Sequence, residues 1–301
     1  MNFKNKRILV RYQTEPQPTL IAYLIKKEKK NFKIISKTQY TLEKYQLEEG
    51  LISDYQVVAE KLNNGLGEIE KGVKDGIVII YDTPNLLRFN TILPKSGIRK
   101  AKNLAKKELN DFFKTSSDNY EDVIRIVSCR ERGIIFYYDL ISKSFLKSLE
   151  EVANAMNRYV DSHTNLVQGI ASYFEYKDED ETDTFVVYQD EFVTHVILLF
   201  QSKLIDSVSF YSQVELTEIV SGIELLRNKH LFAFERKETN NIVLVLNGDA
   251  EKRNQYREEL KNNYDFEVLE KELEIDDVLI YTLNNVEEFQ LGFFVKMWVE
   301  K

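Results

Sequence analysis

One order of secondary-structure signals occurs twice along this chain of 301 residues. Each copy has three short runs rich in β-branched and aromatic residues, then an amphipathic segment, then another apolar run. This pattern predicts strand, strand, strand, helix, strand. The first copy begins near Lys6 and the second near Asp183. The duplication predicts two related lobes that face one another across a cleft.

The first copy divides into three strands, a helix and a fourth strand. Polar connections separate runs at residues 8–12, 20–25 and 32–38, as in an antiparallel meander. A helix is predicted at residues 54–62 because its apolar positions share one face. Residues 77–81 are continuously apolar, which indicates a strand buried on both faces.

The segment after this strand predicts an insertion, the inserted subdomain, at about residues 85–161. Its predicted elements are a strand at 87–93, a helix at 98–113, a hairpin of 123–128 with 134–138, and a helix at 142–159. Four successive carboxylates at 178–181 mark the boundary between the lobes, because such a run is not packed without partners. Lobe I is therefore predicted at residues 1–177 and lobe II at 178–301.

The second copy follows the acidic run. Its predicted elements are strands at 185–188, 194–200 and 204–210, a helix at 216–226, a strand at 242–246, and helices at 250–260 and 289–299. Only residues 211–214 separate the third strand from its helix. This lobe is therefore expected to be the smaller of the two.

Charge and cysteine content restrict the classes of partner. The formal net charge is -8, which disfavours nucleic acid or an anionic membrane as the main partner. Cys129 is the only cysteine, so an intramolecular disulfide is impossible, as suits a reducing compartment. The first eleven residues contain no long apolar stretch, so we expect a cytoplasmic protein.

Several local sequences carry a family resemblance. Residues 49–54, Glu-Gly-Leu-Ile-Ser-Asp, lead into the first helix, residues 92–95, Ile-Leu-Pro-Lys, join a strand to a helix, and Asn247-Gly248 follows a strand. In this order they resemble PilM and FtsA, in the superfamily of actin, heat-shock chaperones and sugar kinases. The resemblance implies an α/β, bilobed actin-like (ribonuclease H-like) fold. It has two βββαβα lobes, a small α+β insertion in the first and a reduced second lobe.

The phosphate-binding hairpins of that superfamily are altered here. The family's Asp-x-Gly position falls on residues 10–12, Val-Arg-Tyr, and the following turn contains Glu15, Pro16 and Pro18. In the second lobe it falls on residues 188–190, Tyr-Gln-Asp, without glycine. Proline lacks an N–H donor and a carboxylate repels phosphate, so we expect no catalytic residue and no bound ATP or magnesium.

The remaining candidate residues have ordinary structural interpretations. His163, His195 and His230 lack paired ligand spacing, so no metal site is expected. His195 and Cys129 are interpreted as core or strand-edge residues, and Asp82 as a turn or cap before Pro84. Gly248 is a weak candidate for contact with a cofactor, and its alternative is an ordinary turn.

Lys95, Arg99, Lys102 and Lys106 form the candidate partner-binding cluster. Three of them share one helix face, which is interpreted either as solvated or as a dock for an acidic partner segment. Aromatic residues are not interleaved with these cations, so nucleic acid is not expected. The helix at 289–299 lacks a basic polar face and is expected to pack in the core rather than on a membrane.

The resemblance implies a function for the whole chain. The leading hypothesis is a non-catalytic cytoplasmic scaffold, peripheral at the inner membrane. It would bind the cytoplasmic tail of an inner-membrane protein in a type IV pilus-like assembly machine. The alternatives are an ATP-binding actin-like ATPase, an FtsA-like cell-division adaptor, and the cytoplasmic domain of a type II secretion platform protein. That last family continues into a transmembrane helix, which is not expected here. Homo-oligomerisation is left open.

Overall fold

The computed structural model describes residues 6–28, 31–67, 73–84, 86–93, 98–113, 119–129, 133–175, 183–200, 203–234, 241–246, 250–264, 266–269 and 278–279. The strands are β1 (Lys6–Gln13), β2 (Thr19–Glu28), β3 (Asn31–Thr41), β4 (Leu47–Glu48), β5 (Leu51–Ile52), β6 (Val73–Asp82), β7 (Leu87–Leu93), β8 (Tyr120–Cys129), β9 (Gly133–Ser142), β10 (Tyr159–Asn165), β11 (Asp183–Gln189), β12 (Thr194–Phe200), β13 (Lys203–Phe210), β14 (Asn241–Leu246) and β15 (Glu267–Leu269). The helices are α1 (Tyr55–Leu66), α2 (Ile98–Phe113), α3 (Lys143–Ala155), α4 (Leu166–Glu175), α5 (Leu216–Phe234) and α6 (Ala250–Tyr264).

The two large sheets have the same topology. The first has the strand order β3-β2-β1-β6-β10 and the second the order β13-β12-β11-β14-β15. In each sheet the first three strands are antiparallel, and the last two are parallel to the first strand. The predicted bilobed α/β fold with a duplicated unit is confirmed.

A smaller sheet interrupts the first lobe. Strands β7, β9 and β8 pair antiparallel, and α2 packs on them. The buried side chains of this layer are Leu93, Ala101, Ala105, Leu109, Tyr138 and Leu140. Helix α3 was counted in the insertion from sequence, and strand β10 was not predicted. In the structure α3 packs on α1, and β10 pairs with β6 in the first large sheet.

The helix predicted at residues 142–159 ends earlier than expected. Asn157 has a positive φ of 57°, and its N–H donates to the carbonyl of Asn154. The N–H of Arg158 donates to the carbonyl of Ala153 at 2.9 Å. These two bonds form the Schellman arrangement that ends a helix, so the chain is free to enter β10.

Helix α4 joins the cores of the two lobes. Its side chains Leu166, Ile170 and Phe174 are at most 1% exposed. They belong to one apolar cluster with Ile80 of the first sheet and Tyr188 of the second. The lobes therefore share a continuous core, and the polar groups between them lie beside it.

Four predictions fall on residues outside this description. They are the acidic run at 178–181, the turn that contains Gly248, the helix at 289–299, and Lys95. Among the helices that are described, none has the length and apolar character needed to cross a bilayer.

Candidate functional site: the cleft between the lobes

The cleft lies where the central strands of the two sheets end. Gln13 ends β1 beside Asp82 at the end of β6, and Asn165 ends the neighbouring strand β10. In the second lobe Gln189 ends β11, and the turn to β12 follows. Carboxyl ends of parallel strands are the usual place for a ligand in an α/β fold. In this chain, side chains from the two lobes meet there.

A buried ion pair connects the two lobes at this point. Nη1 of Arg11, on β1, lies 2.5 Å from Oδ2 of Asp190, which follows β11. The two side chains are 3% and 2% exposed. Nη2 of Arg11 donates to Gln13 Oε1 at 3.0 Å, and the ring centroid of Phe192 lies 5.6 Å from the guanidinium carbon. The Arg11 charge is therefore held on several sides by protein groups.

The Asp190 carboxylate also accepts hydrogen bonds from the backbone N–H groups of its own turn. Its Oδ1 accepts hydrogen bonds from the backbone N–H groups of Phe192, at 2.8 Å, and Val193, at 3.0 Å. Its Oδ2 accepts a third hydrogen bond from the Tyr188 hydroxyl at 2.9 Å. Backbone N–H groups of this hairpin are the kind of donor that holds a phosphate oxygen. Here they are satisfied by a carboxylate of the same turn.

The environment keeps both members of the pair charged. Burial alone would raise the pKa of Asp190, but Arg11 and the two backbone donors hold it below its ordinary value. Burial alone would lower the pKa of Arg11, but the Asp190 carboxylate raises it above its ordinary value. Burial and then the same carboxylate raise the pKa of Tyr188, which stays a neutral donor.

A second polar contact crosses the cleft beside the first. Nε2 of His195, on β12, lies 2.8 Å from Oδ2 of Asp82, and its Nδ1 lies 2.9 Å from Oγ of Ser209 on β13. His195 is fully buried and Asp82 is 5% exposed. Asp82 and His195 were interpreted from sequence as a cap and a core residue, and the structure makes them partners in different lobes.

Arg88 makes a third contact between lobes. It lies on β7, and its guanidinium donates to both the carbonyl and the hydroxyl oxygen of Ser207 on β13. Its Nε is 3.4 Å from a carboxylate oxygen of Asp139 on β9. Asn165 donates to the other oxygen of Asp139 at 3.4 Å. Sequence reasoning missed Arg88, since a single arginine at a strand start carries no specific signal.

These contacts border a cavity of about 220 Å³. It is lined by residues that follow β6, by the start of α4 and by the outer end of β13. The lining residues are Asp82, Thr83, Pro84, Leu86, Arg88, Asn165, Leu166, Val167, Ser207, Ser209 and Tyr211. Both lobes contribute polar side chains to this cavity, so a group bound in it would contact both.

The other candidate residues are placed away from this network or outside the description. His163 is on β10, where its Nε2 lies 3.3 Å from Glu121. His230 is in α5, and the described residues contain no cluster of three or more potential metal ligands. Arg99 and Lys106 are exposed on α2. Lys102 lies in the same helix, and Lys95 is outside the described residues.

The two related lobes and the cleft between them form a bilobed, actin-like fold. No family model matches the sequence, and no curated protein matches it. The structure resembles PilM in the PilM–PilN type IV pilus biogenesis complex. That comparison covers 95% of this chain and 96% of that chain, with a TM-score of 0.59 and 12% identity.

A second solved structure has a comparable extent of similarity. It is the cytoplasmic domain of EpsL, an inner-membrane component of the type II secretion system of Vibrio cholerae. The match covers 94% of this chain and 95% of that chain, with a TM-score of 0.53 and 10% identity. The resemblance predicted from sequence is confirmed at the level of the fold.

Proposed function

We propose that this chain is a non-catalytic actin-like scaffold that binds the cytoplasmic tail of an inner-membrane protein in a pilus-like assembly machine. One observation carries the non-catalytic part. Asp190 fills the donors of the second hairpin and pairs with Arg11, in the place where this fold holds phosphate. A triphosphate entering there would meet a buried carboxylate and would have to displace it.

The structural neighbours support the assembly role. PilM is found there in complex with PilN, and EpsL is a component of a secretion system in the inner membrane. Both are matched over almost their whole length, and the matches cover 95% and 94% of this chain.

The exposed face of α2 is the proposed docking surface, within the inserted subdomain. Arg99, Lys100, Lys106 and Lys107 are exposed, and none makes an ion pair with another described residue. Leu104 lies among them and is 40% exposed. A surface of several cations around one apolar side chain suits an acidic segment with an apolar residue. Because the chain as a whole carries a net charge of -8, an acidic segment would be repelled by most of the surface and attracted to this positive part of it.

Calorimetric titration with ATP and magnesium tests the non-catalytic part. We expect no binding tighter than about 100 μM, which corresponds to about 5.5 kcal/mol. Tight binding by the unchanged chain would establish the rival function, an ATP-binding ATPase.

Capture of membrane proteins tests the docking surface. The double variant Arg99→Glu/Lys106→Glu is compared with Lys61→Glu/Lys261→Glu, which changes the charge equally on exposed residues of α1 and α6. We expect the first variant to lose an inner-membrane protein with a short tail that the second retains. A synthetic peptide of that tail must then compete with it. Equal capture by both variants would remove α2 from the proposal.

Liposome flotation separates the scaffold from the FtsA-like alternative. A scaffold held at the membrane through a partner does not float with protein-free vesicles, whereas an adaptor with its own membrane helix does.

A further inference from the structure

The cavity between the lobes has an unequal balance of charge. Arg88 borders it, but its charge is matched by the buried carboxylate of Asp139 at 3.4 Å. Arg11 is matched by Asp190. Asp82 also lines the cavity, and its described partner is an imidazole. Each of the two arginines thus has a carboxylate partner of its own, whereas the Asp82 carboxylate is paired with a histidine among the described residues.

Both ring nitrogens of His195 are occupied within the protein: Nδ1 lies 2.9 Å from Oγ of Ser209, and Nε2 lies 2.8 Å from Oδ2 of Asp82. The other carboxylate oxygen of Asp82 has no described hydrogen-bond partner among the described residues. Tyr211 lines the same cavity, and the Asp82 carboxylate affects its pKa. Burial raises the pKa of its hydroxyl and Asp82 raises it further, against a smaller lowering by Arg88.

We propose that this cavity binds a cationic group, an ammonium or guanidinium on a short alkyl chain, against the carboxylate of Asp82. The hydroxyls of Thr83, Ser207 and Ser209 are further oxygen acceptors in the wall. The cavity, at about 220 Å³, exceeds the roughly 150 Å³ known to admit a molecule of benzene size. Leu86, Leu166 and Val167 supply apolar wall for the alkyl part.

The test uses ethylguanidinium as the probe and amide chemical shifts of the full chain as the signal. N-ethylurea is the neutral control of the same shape, and propionate is the anionic control. We expect saturable shifts at Thr83, Leu166 and Ser209 with ethylguanidinium only.

Three variants assign the effect to one charge. Asp82→Asn keeps the shape and is expected to weaken binding at least about tenfold, while Asp111→Asn on exposed α2 leaves it unchanged. Arg88→Met is expected to retain or strengthen the binding of ethylguanidinium. If Asp82→Asn disturbs the fold, which its amide spectrum will show, the Arg88→Met result still decides.

Two outcomes would overturn the inference: equal binding of N-ethylurea, or saturation by propionate that Arg88→Met abolishes. A further titration with Nα-acetyl-arginine amide identifies the source of the cation. Affinity equal to that of ethylguanidinium supports a basic side chain of a bound protein segment, and affinity at least tenfold weaker supports a free small cation. Neither result depends on the scaffold proposal, whose tests use ATP and the α2 variants.

Discussion

Breaking the Arg11–Asp190 pair is expected to destabilise the chain more than any change on its surface. Replacing one member of a buried ion pair leaves an uncompensated charge and costs about 3–5 kcal/mol. The loss of stability for Arg11→Met is expected at the lower end of this range, because Asp190 still accepts hydrogen bonds from the Tyr188 hydroxyl and two backbone N–H groups. Asp190→Asn falls at the upper end, because the buried guanidinium then keeps only neutral partners, Gln13 and Phe192.

The double variant Arg11→Met/Asp190→Asn shows whether the two residues act as a pair. It contains neither buried charge, so its loss should be smaller than the sum of the single losses by about 2–3 kcal/mol. Urea unfolding followed by circular dichroism measures all four proteins. The control is Glu224→Gln, which breaks an exposed pair with Arg227 and should cost less than about 1 kcal/mol.

The same pair predicts how stability depends on acid. The folded-state pKa of Asp190 is below its ordinary value of 3.8, so its contribution is present above that value. The contribution is lost as the pH falls through the folded-state pKa. Asp190→Asn has no such loss, so the stability difference between the two proteins narrows with acid. Single losses under 1 kcal/mol, or a double loss equal to the sum, would refute the paired-charge reasoning.

Two further predictions concern residues other than Arg11 and Asp190. Gly65→Ala in α1 would place a methyl group against the Thr38 side chain on β3, so we expect a loss of about 1–3 kcal/mol in urea despite better helix propensity; a gain would contradict this packing. Burial raises the pKa of Tyr12, Tyr81 and Tyr188, so their contribution is full below pH 10 and is lost above it. Above pH 10 the three tyrosines together lower the free energy of unfolding by about 4 kcal/mol per pH unit. Tyr12→Phe, which removes a hydroxyl without a described hydrogen-bond partner, should reduce the measured slope by about 1.4 kcal/mol per pH unit, the share of one tyrosine; an unchanged slope would refute it.

Local signals were sufficient where an element is stabilised by its own sequence. The bounds of β7 and α2 agree with the prediction, because the apolar spacing of α2 matches one helix face. The strand β10 was missed because its sequence, Tyr-Val-Asp-Ser-His-Thr-Asn, is polar and half-buried. Its position depends on the end of α3 at Asn157 and on pairing with β6. Neither can be read from the strand propensity of the β10 sequence itself.

The contacts across the cleft could not be predicted because their partners are far apart in sequence. Arg11 and Asp190 are separated by 179 residues, and Asp82 and His195 by 113. One sequence signal nevertheless indicates that the first hairpins of the two lobes are equivalent. Tyr-Gln ends both β1 and β11, and each glutamine pairs in register with the threonine that begins the next strand, Thr19 or Thr194. That repeat aligns the two hairpins and places Asp190 at the position that Thr14 has in the first lobe.

The two hairpins together explain why this cleft is expected to stay closed without a nucleotide. In a nucleotide-dependent protein of this shape, the ligand's differential contacts with two lobes set the closed population. Here the cross-lobe contacts belong to the chain: Arg11 with Asp190, and His195 with Asp82. Opening would separate both buried pairs and also divide the apolar cluster around α4. A partner that binds both lobes would gain affinity from this closure, because the lobes do not have to be ordered on binding.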